Sequence, residues 1–260
     1  MNLEFPLKML IYSPAGHGKT TLLSTGADDP RLSPMLFLEF EGGTRSIRSK
    51  VRLLTLKDLE NPPKPVPGKI DVLPIREWAD FNAAYAFLAQ EKSPYKSVCL
   101  DSLSEMNYLN MSEVLEAEIR ANPKHDPDIA EQRDYLRSSG QMRKLIRYFR
   151  DLPIHVFFSA GAQTLQDPRT KKMELWPQLT GKLAREVPHL VEIVGYLAIA
   201  ETEEGESRVL VVDSTSDVHA KDRTEGGLLG GMVWDPTLPK IMDLVEGVTV
   251  AERGGESSGN

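Results

Sequence analysis

The stretch that most constrains this chain is Ser13-Pro14-Ala15-Gly16-His17-Gly18-Lys19-Thr20. It follows the apolar run Met9-Leu10-Ile11-Tyr12 and leads into Thr21-Leu22-Leu23. An apolar strand that enters a glycine-bearing loop, closes on Gly-Lys-Thr and opens a helix is the layout of a phosphate-binding loop. Gly16 and Gly18 let the backbone curl so that successive N–H groups converge on phosphate oxygens, and the helix start adds its positive dipole end. Lys19 is then placed to reach the β and γ phosphates, and the Thr20 hydroxyl to ligate Mg²⁺. The pattern G-x-x-x-x-G-K-[ST] has Ser13 where glycine is usual, and serine is small enough to keep the loop. Residues Ser13 to Thr21 are therefore the candidate site for a nucleoside triphosphate.

Composition bounds the rest. A chain of 260 residues can bury a full core, and we expect one domain over residues 1–250 with an unstructured Gly-, Ser- and Glu-rich tail over 251–260. No apolar run approaches the ~20 residues that span a bilayer, and the first residues lack a basic-then-apolar signal, which predicts a cytoplasmic protein without membrane contact. The single cysteine, Cys99, leaves no intrachain disulfide and no cysteine-based zinc site, and between Val98 and Leu100 it reads as a buried strand thiol. The five histidines show no metal-ligand spacing. A net charge of −7 argues against coating nucleic acid through overall charge and leaves room only for a local basic surface.

Along the chain, Lys8 to Tyr12 reads as a central strand and Lys19 to Thr25 as a short helix closed by Gly26. Met35 to Leu38 is continuously apolar, as a parallel strand covered on both faces should be, and ends in Glu39-Phe40-Glu41-Gly42-Gly43. A carboxylate at the carboxyl end of such a strand lies where ligands sit in open α/β sheets. The proline-rich segment 61–68 is an extended connection, Ile70 to Ile75 a strand, and Glu77 to Lys92 a helix with an aromatic stripe for the core. Ser97 to Asp101 is an apolar strand ending in aspartate. Downstream of a phosphate loop, that carboxylate is the second nucleotide signature and holds Mg²⁺, commonly through water.

Met106 to Arg120 and Ile129 to Arg150 read as helices separated by a break at Asn122 to Pro127. The second gathers Arg133, Arg137, Arg143, Lys144, Arg147 and Arg150, by default a solvated face. Ile154 to Phe158 is another strand, with His155 a satisfied core residue. Ser159 to Gly181 shows no periodicity and reads as a long functional loop. Val191 to Ala200 and Arg208 to Asp213 form a strand pair around a turn at 203–206, Asp217 to Gly227 is loop-like, and Pro239 to Glu246 a short helix. The Asn-Lys-x-Asp motif of GTPases is absent, and no lid or acceptor pocket of a small-molecule kinase can be recognised.

These motifs, in this order, resemble the RecA-like ATPase core, and among its members the phage-encoded, core-only single-strand annealing recombinases. The resemblance rests on Tyr12 to Thr21, Leu36 to Gly43, Tyr95 to Glu105, Arg133-Asp134-Tyr135, Phe149 to Ala160 and Ala220-Lys221-Asp222-Arg223. It implies an α/β P-loop NTPase fold with a largely parallel central sheet flanked by helices. It implies ATP and Mg²⁺ as ligands, with Glu41 polarising the attacking water and Glu105 as the alternative carboxylate. Lys221 and Arg223 would reach the γ-phosphate of a neighbouring copy, so that hydrolysis needs a ring or filament. Arg169, Lys171, Lys172 and Lys182 would lie near the phosphates of single-stranded DNA. The family's γ-phosphate-sensing glutamine sits directly at the strand end, whereas here Ser159-Ala160-Gly161-Ala162 precede Gln163.

The expected function is a phage-encoded, Mg²⁺- and ATP-dependent protein that binds single-stranded DNA, assembles through its ATP sites and promotes annealing or recombination, with a single-strand-binding protein as a further partner. The alternative is an assembly or regulatory ATPase, or a helicase-like motor, that acts on a protein partner through the basic helix and loop.

Overall fold

The structure, a computed structural model, describes residues 6–122, 126, 129–167, 169–203 and 205–247. The tail expected over 251–260, the opening residues and most of the break expected at 122–127 lie outside the described residues, as does Glu204 in the turn at 203–206.

In chain order the elements are β1 (Lys8–Tyr12), α1 (Lys19–Ser24), β2 (Met35–Glu39), β3 (Val51–Leu53), β4 (Ile70–Pro74), α2 (Trp78–Leu88), β5 (Ser97–Asp101), α3 (Leu103–Ala121), α4 (Gln132–Arg150) and β6 (His155–Ala160). After them come β7 (Ala162–Gln166), β8 (Met173–Pro177), α5 (Leu183–Glu186), β9 (Ile193–Thr202), β10 (Gly205–Val211), β11 (Lys221–Asp222), β12 (Met232–Trp234) and α6 (Leu238–Val245). The main sheet runs β12-β10-β9-β1-β6-β5-β2-β4-β3, with β11 also paired to β9. From β9 to β3 every neighbouring pair is parallel, and β10, β11 and β12 add antiparallel strands at one side.

The continuous apolar runs are explained by the two faces they serve. Leu10, Tyr12, Leu36, Leu38, Val98, Leu100, Val156 and Phe158 point to one core, shared with Phe81 of α2, Met106 of α3, Met142 of α4 and Leu183 of α5. Their strand neighbours Met9, Ile11, Met35, Phe37, Cys99 and Phe157 point to the other, shared with Leu22 and Leu23 of α1 and Ile241 and Met242 of α6. Cys99 is wholly buried there, and burial pushes its thiol pKa up, as a structural rather than nucleophilic cysteine requires. At the far end of the sheet His155 accepts a hydrogen bond at Nδ1 from the Leu7 amide, which satisfies it as expected.

Three expectations need correction. Ser159 to Gly181 is not structureless: β7 and β8 form a separate antiparallel hairpin, and α5 follows. Its strands mix polar and apolar residues, with Leu165, Leu175 and Trp176 against the core and Thr164 and Gln166 exposed, so no regular apolar alternation marked them. Gly26 does not end α1, because a 3₁₀ turn over Thr25–Asp28 continues it. Glycine is needed there for space, since a Cβ would sit 2.8 Å from the Met35 sulfur. The segment Asp217 to Gly227 contains β11, and β3 and β12 are further short edge strands. The basic face of α4 is partly exposed, in keeping with a solvated face, and carries ion pairs: Arg133 and Arg137 share Glu118, Arg143 pairs with Glu186 and Arg150 with Asp151.

Candidate functional site

β1, β5 and β2 are parallel members of one sheet, so their carboxyl ends come to one edge. That geometry brings together the loop after β1, Asp101 at the end of β5 and Glu41 just beyond β2. A cleft of about 520 Å³ opens there, lined by the loop from Pro14 to Thr21 and by Glu41, Asp101, Glu105, Gln178 and Arg208.

The loop has the backbone its sequence demands. Gly16 and Gly18 are left-handed, with φ of 81° and 97°, and Gly18 caps α1. Lys19 folds back along the loop and donates from Nζ to the Ser13 carbonyl at 3.0 Å, the Pro14 carbonyl at 3.2 Å and Ser13 Oγ at 3.3 Å. Ser13, standing where glycine is usual, is fully buried and supplies two of these acceptors. Burial lowers the pKa of Lys19, and the carboxylates of Asp101 and Glu41 act against that. Among the described residues Lys19 has no ion pair, and a cation held at the end of a glycine-bearing loop favours a polyanion.

Asp101 is buried at 2% exposure and held at both oxygens: Thr20 Oγ1 donates to Oδ2 at 2.7 Å, and the fully buried Ser159 hydroxyl at the end of β6 donates to Oδ1. The Asp101–Ser102 peptide bond is cis. Gly43 stands beside this pair; a Cβ there would be 3.3 Å from Thr20 Oγ1 and 3.6 Å from Asp101 Oδ2, so the turn after β2 packs closely on it. The donor set is hydroxyl and carboxylate oxygen, the chemistry Mg²⁺ selects, with room left for phosphate and water oxygens. Among the described residues no cluster of three or more His, Cys, Asp or Glu could hold a metal without such help.

The two glutamates after β2 have different tasks. Glu39 is buried and accepts hydrogen bonds from the Thr44 amide at 2.9 Å and from the Thr44 hydroxyl, which shapes the turn through Gly42 and Gly43. Glu41 is presented by that turn to the cleft. Partial burial raises its pKa first, and the neighbouring carboxylates of Asp101 and Glu105 raise it further, while Lys19 and the Ser102 hydrogen bond oppose them. A carboxyl tuned upward in a cleft is suited to proton abstraction from water.

The remaining expected residues are dispersed. Gln163 lies on β7 and donates to the Pro177 and Leu179 carbonyls, so it braces the hairpin rather than lining the cleft. Gln178, just after β8, does line it; its amide donates to the Gly161 carbonyl at 2.8 Å. Arg169, Lys171 and Lys172 are exposed at the tip of the β7–β8 hairpin, whose turn is shaped by Asp167 accepting from the Arg169 and Thr170 amides. Lys182 is exposed beside α5. Lys221 on β11 donates from Nζ to the Pro188 and Val191 carbonyls, and burial brings its pKa down to about 8. Arg223, two residues on, is exposed.

Sequence reasoning missed Ser159, Gln178 and Arg208. Ser159 was readable as the residue opposite Ile11 once β1 and β6 are paired, because the parallel register brings it beside the end of β5. Gln178 and Arg208 depend on hairpins whose placement no local pattern specifies.

This fold and this cleft define a P-loop nucleoside triphosphatase core of RecA-like architecture. The chain belongs to the AAA domain family, whose model matches residues 6–224. Among solved structures, the RadB recombinase is similar at 14% identity over 88% of this chain and 86% of that one, with a TM-score of 0.50. A KaiC-like protein, PH0186, from the hyperthermophilic archaeon Pyrococcus horikoshii OT3 matches at 15% identity over 89% and 91% of the two chains, with a TM-score of 0.44. Comparison with curated proteins gives no match. Among the described residues no helix is long and apolar enough to cross a membrane.

Proposed function

We propose that this chain is a phage-encoded, Mg²⁺-dependent ATPase that binds single-stranded DNA and promotes annealing or homologous recombination. The observation that carries the reading is the β7–β8 hairpin. Its root, Gly161 and Gln178, lines the nucleotide cleft, and its tip carries Arg169, Lys171 and Lys172 into solvent. A cationic arm rooted in a triphosphate site offers DNA phosphates a contact that the nucleotide can bias. The recombinase among the structural relatives agrees with this use of the fold.

In the proposed mechanism, loop amides and Lys19 bind the phosphates. Thr20 and Asp101 hold Mg²⁺, which neutralises charge on the β and γ phosphates when bound. Glu41 orients water and takes its proton. Arg223 of one copy reaches the cleft of the next, while Lys221 fixes the segment that presents it by its bonds to Pro188 and Val191. Turnover then depends on assembly.

The test is filter binding of labelled single strands with and without ATP, using Lys171→Ala/Lys172→Ala as the control. The reading predicts ATP-linked binding that the double variant weakens with a shallower salt dependence. Absence of ATP-linked binding at low salt contradicts it. A second reading, in which the partner is a protein, draws on the exposed Tyr135 and Leu136 of α4, at 46% and 68% exposure, beside arginines already paired. It predicts that the double variant changes neither quantity.

A further inference from the structure

The cleft has a direction that the sheet imposes. Asp101 ends β5 and Glu41 lies just beyond β2, both on one side of β1, so on the triphosphate reading the γ-phosphate end of a nucleotide points that way. β9 and β10 lie on the other side of β1, and the side chain that reaches the cleft from there is Arg208 of β10. Its Nε donates to the His17 carbonyl at 3.0 Å, and the His17 ring meets the Leu197 carbonyl of β9 through Nδ1 at 3.1 Å. The β9–β10 hairpin therefore grips the phosphate loop twice.

The guanidinium lies directly on the loop's second glycine. A Cβ on Gly18 would come 2.9 Å from Arg208 Nε, which measures how closely this side chain lies over the loop; the left-handed φ is what requires glycine there. With Nε spent on His17, the two terminal nitrogens remain to donate. Among the described residues no carboxylate lies within ion-pair distance of them. Arg208 is exposed at the mouth of the cleft, and a guanidinium is a forked donor that fits phosphate oxygens.

We infer that Arg208 is a nucleotide-binding residue that holds the α-phosphate, at the end of the cleft opposite Glu41 and in the same chain as the loop. This rests on the triphosphate reading of the cleft and deepens it. Lys19 and Thr20 serve the β and γ groups shared with any polyphosphate. Arg208 serves the phosphate that joins them to the nucleoside, and so favours nucleotides over bare polyphosphate.

The experiment is calorimetric titration of Arg208→Gln and the parent chain with Mg-ADP and with magnesium pyrophosphate. The inference predicts ADP weakened by about 10- to 100-fold and pyrophosphate unchanged, since the loss is of one charge-assisted contact to the α-phosphate. Unchanged ADP affinity would overturn it, as would an equal loss for pyrophosphate, which would mean that Arg208 acts only by shaping the loop. A parent chain that fails to bind ADP would instead refute the triphosphate reading itself. If Arg208→Gln melts well below the parent, Arg208→Lys, which keeps the charge and loses the fork, is measured in its place. It should weaken ADP several-fold and spare pyrophosphate, and equal effects on both would overturn the inference.

Discussion

Removing the Ser159 hydroxyl tests how the acidic end of the cleft is built. Ser159 is fully buried, and its hydroxyl donates to Oδ1 of Asp101, whose other oxygen accepts from Thr20 at 2.7 Å. A hydrogen bond to a buried charge contributes about 1.5–3 kcal/mol, against about 0.5–1.5 kcal/mol for a neutral pair. Ser97 is the matched control: it is equally buried, lies at the opposite end of β5, and donates to the neutral Leu32 carbonyl at 2.7 Å. Urea unfolding followed by tryptophan fluorescence should show Ser159→Ala costing about 1 kcal/mol more than Ser97→Ala. Because Ser159 orients the carboxylate proposed to hold Mg²⁺, the Mg²⁺ concentration for half-maximal ATP turnover should rise about 10- to 100-fold in Ser159→Ala and stay unchanged in Ser97→Ala. Equal stability losses with an unchanged Mg²⁺ requirement would refute this account of Asp101.

Glu41→Gln should keep nucleotide binding and lose about 10²- to 10⁴-fold in turnover; turnover at the parental rate would transfer the role to Glu105. Because burial, Asp101 and Glu105 raise the Glu41 pKa, its basic form is lost at higher pH than for an ordinary carboxylate, so activity should fall on the acid side from above that range. Glu105→Gln should move this limb to lower pH, and an unmoved limb would exclude the coupling. Mixing inactive Glu41→Gln with inactive Arg223→Ala should restore turnover if the arginine acts across an interface; failure to complement would count against it. His155 is half-buried, and desolvation lowers its pKa from 6.5 to about 4, so the stability it contributes is complete above pH 6.5 and is lost as pH falls towards 4. At about 1.4 kcal/mol per pH unit the loss approaches about 3 kcal/mol, and His155→Gln should flatten that part of the stability curve. An unchanged curve would assign the acid sensitivity elsewhere, with His219, also lowered to about 4, the next to substitute.

The parts of this molecule legible in its sequence are those where one local rule decides. β1, β2, β5 and β6 are covered on both faces, so they appear as unbroken apolar runs, and the loop between β1 and α1 needs glycine at two left-handed positions. Asp101 and Glu41 follow from strand ends in a parallel sheet. What stayed hidden depends on distant pairing. β7 and β8 mix polar and apolar residues at the margin of the core, where Leu165 and Leu175 pack, and their pairing with each other has no signature in either strand alone. Arg208 reaches the loop from 191 residues away along the chain, through a hairpin whose placement beside β1 only the folded sheet defines. Lys221 was expected, with Arg223, to reach the γ-phosphate of a neighbouring copy, yet within the chain its ammonium donates to two carbonyls after α5.

The central claim is that the cleft at the ends of β1, β5 and β2 binds a nucleoside triphosphate through the loop and Lys19. Calorimetric titration of the chain with a slowly hydrolysed Mg²⁺–ATP analogue, beside Lys19→Ala, tests it most directly. The account predicts binding at one site per chain that Lys19→Ala abolishes; no binding to the parent chain, or equal binding to both, would contradict it.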